Sequence, residues 1–124
     1  MQQLLVIAGG GAIGAVLRFL MSTGVHRVLG KEFPYGTLLV NVVGSLLIGL
    51  LFVLLVEKQW IAEHWRTAIF VGFLGAFTTF STFSFETISL IESGEITKAL
   101  LNVALSVGLC LMATWFGITL ARQL

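Results

Sequence analysis

The sequence predicts an all-α membrane protein: four transmembrane helices in a single domain, residues 1–124, with the third helix broken and two chains paired antiparallel. Three observations carry this reading. First, 57% of the 124 residues are hydrophobic and only 10% are charged, against about 25% charged in a soluble domain, so the chain has too few charges to cover a water-facing surface. Second, those few charges lie between four apolar runs of membrane length. Third, the Lys and Arg residues outside those runs divide evenly between the two sides that four spans define. The net charge of +1 leaves no electrostatic footprint for nucleic acid. The single cysteine, Cys110, has no partner for an internal disulfide and no zinc-ligand spacing around it.

The first run, 4–25, contains one charge, Arg18. No Lys or Arg precedes Leu4, so the run lacks the basic start of a cleaved leader and is expected to stay in the mature protein. The second run, 36–56, follows Pro34 and Tyr35 and carries no charge. The third, 67–85, lies uncharged between Arg66 and Glu86, and Ser93-Gly94 separates it from the fourth, 99–121. About 20 apolar residues cross a bilayer as a helix, and lipid admits only helices and closed barrels. Barrel strands are about 10 residues long and alternate, unlike these runs. Tyr35, Trp60 and Trp65 fall at run ends, where aromatic belts form.

Lys58, Arg66 and Arg122 lie on one side of the predicted topology, and Arg27, Lys31 and Lys98 on the other. A bias in such residues normally sets orientation; a tie sets none. The expectation is that the chain inserts both ways and pairs with a second copy, in the manner of inverted transporter repeats. A lone four-helix bundle fills its own centre with side chains, whereas eight helices from two chains leave room for a path.

Gly9 to Gly14 match the dinucleotide-binding pattern G-x-G-x-x-G. That pattern acts only inside a strand–helix–strand unit, and the runs that follow are membrane helices. The better reading is close packing: Gly10 and Gly14, with Gly11 and Ala15 one step round, let helix backbones approach.

Polar groups at membrane depth are functional candidates. Thr37, Asn41 and Ser45 recur at four-residue spacing on the second span, as do Asn102, Ser106, Cys110 and Thr114 on the fourth. Interhelical hydrogen bonding explains much of such stripes. Asn41 stands out, because its amide brings two donors into an apolar span, and it is read as a binding group for a permeant species. On the third span, five of the seven residues 78–84 are hydroxylic, and Gly72 and Gly75 precede them. Regular helix is weakest in such a stretch. A mid-membrane break there frees carbonyls and amides, which survive only where buried or lining a cavity, and freed carbonyls suit a small cation. Phe80 and Phe83 share one face, and their positive ring edges can hold an anion without trapping it. Phe70 and Phe73 read as packing. Arg18 has three open roles: snorkelling to an interface, supplying a positive field at a pore mouth, or pairing with Glu86.

The segments 10–18 (GGAIGAVLR), 36–44 (GTLLVNVVG) and 72–86 (GFLGAFTTFSTFSFE) resemble the CrcB, or Fluc, family of bacterial fluoride channels, and the resemblance covers essentially the whole chain. It implies a passive fluoride-selective channel in the bacterial inner membrane, an antiparallel homodimer in contact with lipid and with two fluoride pathways. It also implies pore residues at Asn41, Phe80 and Phe83, with Ser81 and Thr82 as nearby hydroxyl donors, and Ser106 and Thr114 on the fourth span. A structural sodium ion is implied at the break, held by Gly75 and Thr78 of both chains. Cys110 stands in the fourth-span row where a hydroxyl would be expected.

The chain has no Asp, no plausible catalytic triad and no phosphate loop in a suitable context, so it is not expected to be an enzyme. The main rival is a small multidrug proton antiporter, which needs an intramembrane carboxylate. Spans one, two and four have none, and Glu86 lies at the edge of span three. A non-transporting membrane subunit is the third class.

Overall fold

The computed structural model describes all 124 residues, and every apolar run lies within a helix long enough to cross a membrane: α1 (Gln2–Leu29), α2 (Tyr35–Glu57), α3 (Glu63–Glu92) and α4 (Ile96–Arg122). The shortest has 23 residues, which at 1.5 Å per residue spans about 35 Å, more than the ~30 Å hydrocarbon core. Helix ends fall where the sequence supplies a stop. Gly30 (φ 88°) closes α1, its N–H donating to the His26 carbonyl. Gly94 (φ 79°) turns the chain between α3 and α4. Positive φ costs a glycine little. Pro34 precedes the first turn of α2.

Only 22 of the 124 residues are buried, while Leu4, Leu5, Phe19, Leu20, Leu111, Met112 and Trp115 are all more than half exposed. A water-soluble monomer does not present so much contiguous apolar surface; a chain bathed in lipid does.

Two close pairings organise the bundle: α2 packs along α4, and α1 packs on the first half of α3. Glycine sets both. A Cβ on Gly10 would come within 2.5 Å of the Ala68 carbonyl oxygen, and one on Gly72 within 2.6 Å of the Ile7 carbonyl oxygen. A Cβ on Gly14 would strike the Phe73 carbonyl. The Gly10/Gly14 spacing is therefore a backbone-on-backbone contact, as its small-residue reading requires. On the other pair, Gly117 sits where a Cβ would come 2.5 Å from the Leu46 carbonyl oxygen. Residues Phe52–Glu57 and Ala68–Leu74 are wound as π-helix, a widening common at functional sites that composition did not foretell.

The third helix bends at its middle. Gly75–Phe77 is helical, Thr78 (φ −85°, ψ 160°) and Thr79 (φ −153°, ψ 119°) are extended, and Phe80–Glu92 is helical again. The irregularity is shorter than the hydroxylic stretch 78–84. The Thr79 hydroxyl explains why: its Oγ1 accepts the Thr82 N–H at 3.2 Å, a helix cap that restarts the helix at once.

Candidate functional site

The bend exposes main-chain groups at mid-membrane, and side chains from two other helices take them up. In an unbent helix the Thr79 N–H would close onto the Gly75 carbonyl. Instead it donates to Asn41 Oδ1 at 2.8 Å, while Asn41 Nδ2 donates to the Thr79 carbonyl at 2.9 Å. The Thr82 N–H, which would close onto the Thr78 carbonyl, goes to Thr79 Oγ1. Arg18 reaches from α1, its Nε donating to the Ala76 carbonyl at 3.0 Å. This tie to the bend is none of the roles left open for Arg18, and of those the structure contains no ion pair with Glu86.

Beside the bend lies a cavity of about 480 Å³. It brings together Asn41 from α2, Gly75, Thr78, Phe80 and Phe83 from α3, and Ser106 from α4. Ser45, Thr79 and Cys110 also line it. The ring centroids of Phe80 and Phe83 lie 5.3 Å apart with planes tilted by 45°, neither stacked nor perpendicular. Phe80 is 76% exposed while Phe83 is buried; one ring is anchored in the chain and the other projects from it. Phe73 and Phe77 stack at 5.7 Å, in keeping with a packing role for Phe73; Phe70 lines the cavity.

A buried polar chain fixes Phe83 and Ser106. Ser106 Oγ donates to Asn102 Oδ1 at 3.4 Å, Asn102 Nδ2 donates to Thr87 Oγ1 at 2.9 Å, and Thr87 Oγ1 donates to the Phe83 carbonyl at 2.7 Å. Asn102 is 1% exposed, so each of these groups is satisfied where loss of a partner is expensive. Sequence reasoning placed Asn102 and Ser106 on one stripe but missed Thr87, whose i, i+4 relation to Phe83 was the available signal. It also missed Thr79 as the residue that caps the restarted helix.

Three candidates lie outside this cavity. Ser81 is exposed, and Thr82 is half-buried with its hydroxyl accepting from Thr79 Oγ1 at 3.1 Å. Thr114 Oγ1 donates to the Ser45 carbonyl at 3.0 Å, at the contact between α2 and α4.

The Gly75 and Thr78 carbonyls have lost the amides that would close onto them, and Gly75 is exposed. Carbonyl oxygens are the ligands hard cations take, so these residues fit a small cation such as sodium.

Four membrane-length helices, three of which line a ring-bearing cavity with an amide and hydroxyls at a mid-helix bend, define a small multi-pass membrane protein with an intramembrane polar site. The family model described as CrcB-like protein, Camphor Resistance (CrcB), matches residues 5–118. The chain belongs to that family. A protein of Geobacter sulfurreducens named fluoride-specific ion channel FluC is 50% identical over 124 residues, 100% of both chains. One of the same name from Coxiella burnetii (strain Dugway 5J108-111) is 47% identical over 125 residues, again 100% of both. A third, from Methylococcus capsulatus, is 54% identical over 121 residues, 98% of this chain and 53% of that relative; the chain spans about half that relative's length. It is thus a multi-pass bacterial membrane protein.

Proposed function

We propose that the chain is a passive, fluoride-selective channel of the bacterial inner membrane, formed by two antiparallel copies in contact with lipid. The observation that carries this reading is the convergence of Asn41, Phe80, Phe83 and Ser106 on one cavity at the bend of α3, together with the name borne by full-length relatives. Fluoride is small and strongly hydrated, so entry requires donors that replace its water, since a bare ion in apolar surroundings costs many kcal/mol. Asn41 offers one of its two amide hydrogens, the other being held by Thr79. Ring edges of Phe80 and Phe83 supply a weak positive surface, and sites that bind but also release are what conduction needs. Ser81 and Thr82 are further donors, lying outside the cavity of a single protomer and reached only as the ion moves along, whereas Thr114, expected among them, has its proton committed to the Ser45 carbonyl.

The second copy completes the path. Phe80 projects from the protomer, and Gly75 is bare; both then meet the partner. The broken third helix of each copy contributes the carbonyls of Gly75 and Thr78 to a central sodium ion, whose charge offsets the repulsion between four carbonyl dipoles. An inside-negative potential drives anions outward by ~2.3 kcal/mol per charge per 100 mV, so a passive pore suffices to keep cytoplasmic fluoride low and to confer fluoride resistance.

The test is fluoride efflux from vesicles holding the purified protein. Rapid efflux with no proton gradient, and retention of chloride, is the expected result. Proton-coupled release of a cationic dye would instead mark an antiporter, and silence a non-transporting subunit.

A further inference from the structure

A second polar cavity, about 300 Å³, lies where the end of α1 and the connection to α2 meet the second half of α3. His26, Lys31, Glu32, Glu86, Ser89 and Ser93 line it. Within it His26 performs a task that depends on its protonation state. Its Nε2 accepts the Gly36 N–H at 3.1 Å, one of the amides that the start of α2 cannot pair within the helix. Gly36 is seated hard on α1: a Cβ there would come 2.7 Å from the Ser22 carbonyl oxygen and 2.9 Å from His26 Nε2. The first turn of α2 is thus held to α1 by glycine packing and by one imidazole.

An imidazole accepts at Nε2 only when the proton sits on Nδ1; the imidazolium is a donor at both nitrogens. A second proton therefore abolishes the bond to Gly36 and places a positive charge against the positive end of α2. The surroundings offer that charge another place. Glu32 and Lys31 face the cavity from the connection, and Glu86 faces it from α3. The start of α2 adds the Tyr35 phenol, and α1 itself the exposed Arg27. The lining holds two carboxylates against one ammonium, and Glu86 Oε1 is shielded from solvent with no hydrogen-bond partner.

We propose that His26 is a proton-operated latch on the ion pathway. Neutral, it clamps the first turn of α2 to α1. Protonated, it releases Gly36 and turns toward Glu86 and Glu32. Thr37 and Asn41 follow Gly36 on the same helix, and Asn41 holds Thr79, so release loosens the segment that shapes the cavity at the bend. The latch rests on the channel reading for its effect on flux, and on geometry alone for its effect on the Gly36 amide.

The experiment measures fluoride efflux from vesicles at about pH 8 and about pH 5.5, a range over which imidazoles charge, with leak from protein-free vesicles subtracted. In parallel, the exchange protection of the Gly36 amide is measured at both pH values. The wild-type protein is expected to slow about fivefold on acidification, the factor that loss of one ordinary helix cap converts to, and the Gly36 amide to lose protection. His26→Asn, with an acceptor that gains no proton, is expected to show the same flux and protection at both pH values. Equal pH ratios in the two proteins, or unchanged Gly36 protection in the wild type, overturns the latch. Absence of flux at about pH 8 overturns the channel reading instead, and the Gly36 measurement then decides the latch. If His26→Asn does not fold, the wild-type amide measurement decides by itself.

Discussion

Asn41 and Thr79 exchange two hydrogen bonds, the side-chain amide of one completing both main-chain groups of the other at 2.9 and 2.8 Å. Asn41 therefore stands in for a stretch of helix that α3 does not form, and it does so while facing the cavity. Support of the bend and the proposed contact with the ion fall on the same residue, and flux and melting read them separately.

Asn41→Ala leaves the Thr79 amide and carbonyl unpaired at membrane depth, at about 1–3 kcal/mol for each unmet group. Fluoride flux is expected to disappear, and the melting temperature in detergent to fall. Unchanged flux would remove Asn41 from the pathway; unchanged melting would mean that water or lipid satisfies Thr79 as well.

Phe80→Ile removes the exposed ring while keeping its apolar bulk. Within the chain Phe80 packs on Phe83 but is otherwise 76% exposed, so its replacement costs the fold little buried surface. Flux is expected to fall by orders of magnitude in the vesicle assay, with expression and melting near normal. A conducting Phe80→Ile protein would mean that ring edges do not contact the ion.

Glycines 72 and 75 should part company. A side chain on Gly72 meets the Ile7 carbonyl at 2.6 Å, whereas one on Gly75 finds its nearest neighbour, the Phe70 carbonyl, at 3.6 Å. Gly72→Val is expected to cost about 1–3 kcal/mol of overpacking and to fail during purification. Gly75→Val should yield a folded chain whose dimer is weakened, seen as monomer by light scattering in detergent. A normal dimer with normal flux would count against a cation held there by two chains.

Exchanging sodium for a bulky organic cation on both sides of the membrane should slow fluoride efflux, because the cation proposed between the Gly75 and Thr78 carbonyls is withdrawn. Efflux that is indifferent to sodium would show that the carbonyls are satisfied without it.

Ser106→Ala and Thr114→Val separate the cavity from the helix contact. Ser106 lines the cavity, while Thr114 spends its proton on the Ser45 carbonyl, a bond of the class worth about 0.6 kcal/mol between membrane helices. Ser106→Ala is expected to slow efflux and Thr114→Val to leave it within about threefold of the parent. The reverse order would place the path along α4 beyond the cavity.

The helices were legible because charges bound the apolar runs, and that signal survives any tertiary arrangement. The bend was legible as a region: hydroxylic residues weaken helix over 78–84, yet Thr79 alone caps the restart, confining the irregularity to Thr78–Thr79. The partners of the bend were not legible. Asn41 and Thr79 are 38 residues apart, and Arg18 and Ala76 are 58 apart; each pairing depends on the register of one helix against another. The stripe on α4 was read too straight. A four-residue step advances about 40° beyond a full turn, so from Asn102 to Thr114 the row swings by about 120°. That carries it from the buried chain against Thr87 to the contact with Ser45.

The central claim is that ions pass where two oppositely oriented copies meet. Its most direct test places one cysteine at the exposed end of α3, Glu92→Cys in a Cys110→Ser background, and labels intact cells with a membrane-impermeant thiol reagent. The account predicts that about half of the protein reacts from outside and that the remainder reacts once the membrane is opened. Labelling of all copies from one side would contradict it.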